Sequence, residues 1–179
     1  MNYCQNCGSA VNLSIPDGDN RVRYVCTHCG YIHYQNPKIV AGCLPVWENR
    51  VLLCKRAIEP RQGYWTLPAG FMENEETLEQ AAARESIEEA NASLENLRLY
   101  TVISLPHISQ VYMMFLADLI DTEFHPGEES LETKLFAEED IPWDTLAFKT
   151  IYFTLERFFE DRKKGVFPLH NSTITKKNH

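Results

Sequence analysis

Three glutamates at a fixed helical spacing constrain this chain more than any other feature. Glu85, Glu88 and Glu89 stand at i, i+3 and i+4, so a helix carrying them presents all three carboxylates on one face. Traced backwards, the same stripe runs through Ala82, Ala81 and Leu78. The acidic cluster therefore continues an apolar face that turns toward the protein body. Like charges crowded where water is scarce resist ionising unless a cation joins them. Hard oxygen donors in such a cluster suit Mg2+ or Mn2+. A solvated acidic helix face is the alternative, and the spacing alone does not choose between them. Thr77 and Gln80 fit a capping box and mark the start of the helix.

The surrounding register is more specific. Gly70 is followed after five residues by Glu76, after seven more by Arg84-Glu85, and after two more by Glu88-Glu89. This resembles the box of the Nudix hydrolases, G-x5-E-x7-R-E-U-x-E-E-x-G-U. The run Trp65-Thr66-Leu67-Pro68-Ala69-Gly70 is similar to the family's lead-in. Two positions depart from the pattern. Asn91 stands where a glycine is usual, just past the helix end, and Asn is the next most tolerant residue of a left-handed backbone there. Ser86 stands at an apolar position and weakens one packing contact, with Ile87 beside it as compensation.

Cysteine spacing supplies the second signal. Cys4-x2-Cys7 and Cys26-x2-Cys29 lie eighteen residues apart, a spacing suited to a four-cysteine zinc site. Gly8 and Gly30 follow the pairs and permit tight turns around a metal. Two disulfides are the rival. Met1-Asn2-Tyr3 leads straight into Cys4 without an export signal, so reduced thiols, structural Zn2+ and a cytoplasmic location are expected. Cys43 and Cys54 lie in apolar runs and read as buried packing residues. Arg21 and Arg23 balance Asp17 and Asp19, leaving no basic stripe on the ribbon for nucleic acid.

Downstream, Ile39–Trp47 and Val51–Cys54 read as strands joined at Glu48-Asn49-Arg50. Further strands are expected near Leu97–Leu105, Val111–Leu119 and Leu131–Phe136. Ile151, Leu155, Phe158 and Phe159 recur at helical spacing and mark a closing helix that stops near Gly165. The resemblance implies an α/β fold, the Nudix α/β/α sandwich with a mixed sheet, preceded by a small four-cysteine zinc ribbon. The boundaries expected are 1–34 for the ribbon, 35–166 for the hydrolase domain and 167–179 for a flexible polar tail.

The resemblance also implies site roles. Glu85, Glu88 and Glu89, with the Gly70 carbonyl, would hold catalytic Mg2+ or Mn2+, and Arg84 would orient them by pairing with Glu76. A carboxylate outside the box often serves such enzymes as base or extra ligand. Glu128, Glu129 and Glu132 follow Pro126-Gly127, and Glu129 and Glu132 are taken as the catalytic candidates, a solvated acidic turn being the alternative. Arg56 and Arg61 could clamp phosphates. Tyr64 or Trp65 could stack on a base, or simply belong to the core.

Ser104-Leu105-Pro106-His107-Ile108-Ser109 lies where NADH pyrophosphatases, which also carry a ribbon, have S-Q-P-W-P-F-P. Ser104 and Pro106 match, and His107 to Gln110 replace the remainder. Ser104 and His107 become candidate substrate contacts. The implied activity is metal-dependent hydrolysis of the pyrophosphate bond of a nucleoside diphosphate linked to a second group. ADP-ribose or FAD is preferred, with AMP released, and an NADH pyrophosphatase is the alternative. A non-catalytic nucleotide-sensing or partner-binding module is the alternative of another class, and three intact box carboxylates argue against it. The expected partner is a small-molecule nucleotide and a second copy in a homodimer, with no nucleic acid and no membrane. A cap-removing RNA hydrolase would want a basic groove, which a net charge of -8 does not promise.

Overall fold

The computed structural model describes residues 1–176. The chain divides into two compact units, Met1–Asn36 and a second from Pro37 onward. In the first, β1 (Val11–Ser14), β2 (Arg23–Cys26) and β3 (Ile32–His33) form an antiparallel sheet in sequence order.

The second unit contains, in chain order, β4 (Lys38–Trp47), β5 (Arg50–Arg56), β6 (Trp65–Thr66), β7 (Ala69–Phe71), α1 (Leu78–Ala90), β8 (Leu94–Leu105), β9 (Gln110–Leu119), β10 (Ser130–Phe136), α2 (Lys149–Lys164) and β11 (His170–Thr173). Its sheet runs β10-β5-β4-β9-β8-β11, with β6 on β5 and β7 on β4. The β4–β9 and β8–β11 pairs are parallel and the others antiparallel, so the sheet is mixed.

Strand alternation sends successive side chains to opposite faces. Leu44, Val51, Leu53, Met114 and Leu116 share one core cluster with Ile151, Leu155, Phe158 and Phe159 of α2. Their neighbours Ala41, Cys43, Phe115 and Ala117 share another with Ala81 and Ala82 of α1. Small residues on both sides let α1 approach the sheet closely. Cys43 and Cys54 are buried, as their apolar surroundings predict. Trp65 belongs to the core, edge-on to Phe136 at 4.8 Å between centroids.

β4 and β5 pair only at their hairpin end, Val46 with Val51 and Trp47 with Arg50. Beyond it they splay. β6 takes over pairing with β5, and β7 with β4. Gly42 is required there, because a Cβ would overlap Ala69 and the Pro68 carbonyl. The Cys43 N–H donates to that carbonyl at 3.0 Å. The splay delivers the Gly70 backbone to the acidic face of α1.

Two local expectations fail. Ile87 does not compensate for Ser86: it is 54% exposed, whereas Ser86 is fully buried and its hydroxyl donates to the Ala82 carbonyl at 2.9 Å. The position is satisfied by a hydrogen bond within the helix rather than by packing. The expected flexible tail over 167–179 meets order instead, with residues 177–179 outside the described part. Phe167 stacks on Phe158 at 5.7 Å, and β11 pairs with Thr101–Ser104 of β8. The segment was too polar and too short to signal a strand. No helix among the described residues is long and apolar enough to cross a membrane.

Buried Asp161 fastens this last strand. It accepts from the Tyr100 hydroxyl at 2.8 Å and from His170 Nε2 at 2.6 Å. Burial pushes its pKa up, but these two hydrogen bonds prevail and hold it below the usual value. The charged form is therefore stabilising above the unfolded-state pKa of about 4, and that contribution is lost as pH falls through the lower folded value. Asp161→Ala also strands the buried Tyr100 hydroxyl, so a loss of about 1–3 kcal/mol is expected. Urea denaturation checks it: the midpoint should fall at neutral pH, by less at pH below about 3.

Candidate active site

In the first unit the four cysteine sulfurs lie within 4.8 Å of one another. Each pair sits in a tight turn, with Gly8 N–H donating to the Cys4 carbonyl and Gly30 N–H to that of Cys26, both glycines at positive φ. Backbone amides point at sulfur: Cys29 and His28 N–H groups donate to Cys26 Sγ, each at 3.4 Å. They pull the Cys26 thiol down to about 6, while burial pushes Cys4 up to about 11. Turned-in amides favour thiolates, the form a zinc ion requires. His33 Nε2 lies 3.3 Å from Cys4 Sγ, where it can orient that ligand. The purified protein is expected to carry one zinc per chain by elemental analysis. Two disulfides by mass spectrometry would contradict the ribbon.

In the second unit α1 begins with the complete capping box of Thr77 and Gln80 and ends at Asn91, whose φ of 48° is left-handed. Asn91 does more than a glycine would: its Nδ2 donates to the His125 carbonyl at 3.1 Å. The helix end is then covered by the following loop. His125 N–H donates to the Ala90 carbonyl, and Gly127 N–H to that of Glu89. A Cβ at Gly127 would overlap the Glu88 carbonyl, so this close approach needs glycine. Glu128 and Glu129 are thereby carried to the acidic face.

Glu85 and Glu89 are buried, at 8% and 7% exposure, whereas Glu88 faces outward. Arg84 ties the cluster together. It donates to both Glu76 oxygens at 3.0 and 2.8 Å, to Glu85 at 2.7 Å, to Glu88 at 3.0 Å and to the Phe71 carbonyl at 3.2 Å. Its guanidinium holds the Glu76 carboxyl down to about 2. Burial pushes Glu85 up despite Arg84. Burial, with the nearby charges of Glu85 and Glu129, pushes Glu89 up to about 8, Arg56 opposing.

The residues fit a divalent cation. Glu89 Oε2 is buried without a hydrogen-bond partner. Gly70 lies so close to Glu85 that a Cβ would overlap its carboxylate. An orphaned buried carboxylate oxygen beside a second carboxylate and a bare backbone is a cation's donor set.

Two adjacent cavities meet here. One, of about 630 Å3, is lined by Glu85, Glu88, Glu89, Glu128 and Glu129 with Gly70 and Arg84. The other, of about 480 Å3, is lined by Arg61, His107, Tyr112, Phe148 and Lys149 among others. Arg56, Pro60, Ala69, Gly70 and Phe71 line both. The structure thus brings together the box carboxylates, Gly70, Glu129, Arg56, Arg61 and His107. It leaves out Glu132, which lies on β10 opposite Lys55, 3.9 Å from its Nζ, and lines neither cavity. It also leaves out Ser104, which sits in the sheet between Val111 and Thr173. Tyr64 packs under Arg61, 5.2 Å from its guanidinium, and lines neither of these two cavities. Sequence reasoning missed Phe71, Tyr112, Phe148, Lys149 and Ile174. Tyr112 is in phase with Met114 and Leu116 along β9 and was legible from alternation, whereas the others come from element ends without periodicity.

A mixed sheet between two helices sets a carboxylate-bearing helix against the Gly70 backbone, a donor set suited to a divalent cation. Residues 36–158 match the NUDIX domain, and residues 2–35 match its zinc ribbon, described as Nudix N-terminal. The chain belongs to the Nudix hydrolase family. It is similar to the NAD-capped RNA hydrolase NudC of Photobacterium profundum, 32% identical over 141 residues, or 77% of this chain and 50% of that protein. The chain spans about half the length of the curated relatives it matches. The crystal structure of a NUDIX hydrolase from Nitrosomonas europaea matches with a TM-score of 0.95 at 58% identity, covering 98% of this chain and 100% of that one. An ADP-ribose pyrophosphatase from Streptococcus suis shares the fold, with a TM-score of 0.64, 21% identity, and 76% and 99% of the two chains covered.

The Gly70–Glu85 contact yields a direct test. In Gly70→Ala the new methyl meets the end of a flexible side chain rather than backbone. The fold should survive while the Glu85 carboxylate is displaced. Calorimetric titration should show Mn2+ binding weakened by about tenfold or more, with little change in the thermal midpoint.

Proposed function

We propose that this protein hydrolyses the pyrophosphate bond of a nucleoside diphosphate linked to a second group, preferring ADP-ribose or FAD and releasing AMP. The unpartnered, buried Glu89 Oε2 on the wall of the acidic cavity carries this reading. Bound Mg2+ or Mn2+ would neutralise phosphate charge and make a water acidic enough to attack phosphorus. Glu85, Glu88, Glu89 and the Gly70 carbonyl are the groups to hold it. Arg84, saturated by Glu76, Glu85, Glu88 and the Phe71 carbonyl, orients those ligands and does not touch phosphate. Arg56, common to both cavities, is placed to donate to the pyrophosphate. Glu129 is the carboxylate outside the box that can take a proton from water or add a ligand. The aromatic and aliphatic wall of the second cavity suits the organic part of the substrate.

Relatives named as NAD-capped RNA hydrolases favour a second reading, with NADH or an NAD-capped RNA end as substrate. The net charge of -8 weighs against a long polyanion. Comparing kcat/KM for ADP-ribose, FAD, NADH and an NAD-capped oligonucleotide decides between them. ADP-ribose or FAD should lead, giving AMP plus ribose 5-phosphate or FMN, and Glu89→Gln should lower kcat by roughly two or more orders of magnitude. A lead of about tenfold or more for NADH or the capped RNA would replace the first reading by the second. Absence of pyrophosphate cleavage from every compound, with no AMP from the three small substrates and no NMN from the capped oligonucleotide, would favour a non-catalytic binding module.

A further inference from the structure

The NUDIX domain match ends at residue 158, yet a residue well beyond it reaches the organic cavity. Ile174 lines that cavity together with Leu105 and Ile108. Its placement is set by the sheet. β11 runs parallel to β8 from His170 beside Thr101 to Thr173 beside Ser104, and Ile174 N–H then donates to the Ser104 carbonyl at 2.9 Å. Ile174 therefore leaves the sheet where β8 ends and the Pro106–Ile108 turn begins. The strand is anchored upstream by the Asp161–His170 hydrogen bond and by Phe167, which stacks on Phe158 and lies 5.1 Å under the Arg98 guanidinium. Phe167 packs against the hydrophobic core, but Ile174 belongs to no core cluster. Ordered backbone thus holds a partly buried aliphatic side chain at the cavity wall, outside the core clusters of the described residues.

We propose that Ile174 is a specificity-determining residue, an apolar contact for a planar heteroaromatic ring of the substrate, delivered by β11. This rests on the reading of the site as a dinucleotide-type pyrophosphohydrolase. The wall formed by Leu105, Ile108 and Ile174, with Phe71, Tyr112 and Phe148 on the same cavity, suits a flat ring better than a sugar. Such a contact is present in ground state and transition state alike, so its loss raises KM and leaves kcat.

The test measures kcat and KM for FAD and ADP-ribose with Mg2+, in wild type, Ile174→Ala, Ile174→Val, and chains ending after Thr173 or after Lys176. Ile174→Ala and the Thr173 truncation should raise KM for FAD by about tenfold, with kcat within about twofold of wild type. Ile174→Val should restore most of the loss, and the Lys176 truncation should match wild type. A rise for both substrates assigns the contact to adenine, and a rise for FAD alone to the flavin ring. An active wild type whose KM values are unchanged by Ile174→Ala would overturn the inference while leaving the pyrophosphohydrolase intact. So would a fall in kcat with KM unchanged, which marks a structural effect. A wild type inactive on both substrates would overturn the functional reading, and the role of Ile174 with it.

Discussion

One guanidinium holds the site's carboxylates in place. Arg84 engages Glu76 through two parallel hydrogen bonds, reaches Glu85 and Glu88 with a third nitrogen, and caps the Phe71 carbonyl. A planar fork with five donors can do this, and a lysine could not. The consequence is mechanical as well as electrostatic. Phe71 ends β7 and Glu76 lies on the loop that follows it, so the same residue that partly neutralises the acidic face also fastens the Gly70 strand and its loop to the helix. Glu89 is left outside its reach, which is why burial dominates there and one oxygen has no partner.

That arrangement depends in turn on an irregular sheet. Were β4 and β5 paired along their whole length, no backbone could reach the acidic face between them. They separate after Val46 and Val51, and the two short strands β6 and β7 wedge in. Close approaches finish the construction at three glycines: Gly42 against Ala69, Gly70 against Glu85, and Gly127 against the last turn of α1. At Gly42 and Gly127 a side chain would meet backbone, at Gly70 it would displace the Glu85 carboxylate, and none of the three depends on an unusual φ. The site is thus assembled by proximity of backbones, and its carboxylates are side chains long enough to fill what remains.

This explains what the sequence could and could not disclose. The helix of glutamates, its capping box, its left-handed end at Asn91 and the long strands β4, β5, β8, β9 and β10 follow from local rules of spacing and turn chemistry, and were legible. So were the four cysteines, whose spacing is itself the geometry. The register Gly70–Glu76–Arg84 was legible because charged residues at fixed intervals have few other uses. Glu132 falls outside the cavities because the register of β10, irregular between Ser130 and Glu132, sets it opposite Lys55 and away from Glu129, although only two residues separate them. Ser104 misled because it lies one residue short of the cavity, which begins at Leu105. Strands of two to four residues, such as β6, β7 and β11, carry no detectable period, and their positions are imposed by partners far away in the chain. Phe148 and Lys149 are invisible for the same reason: they enter the site only because α2 starts there.

The two cavities divide charge in a way that answers the problem an acidic protein has with an anionic ligand. The acidic cavity gathers carboxylates that a divalent cation would convert from a repulsive to an attractive surface. The adjoining cavity has no acidic residue among those that line it, and it carries Arg56, Arg61 and Lys149. Among the described residues, none of these three has a carboxylate within ion-pairing distance. Arg56 and Arg61 are steadied instead by aromatic faces, Phe148 at 5.3 Å and Tyr64 at 5.2 Å, and Arg56 also by its Nε, which donates to the Pro60 carbonyl at 2.8 Å. A ring fixes a guanidinium's plane without consuming its in-plane donors. Held this way, the arginines leave their terminal nitrogens uncommitted, whereas ion pairs with glutamate would occupy them. A chain with an overall charge of -8 thus carries a local patch of cations without carboxylate partners, and Arg56 at the junction is where that patch meets the acidic face.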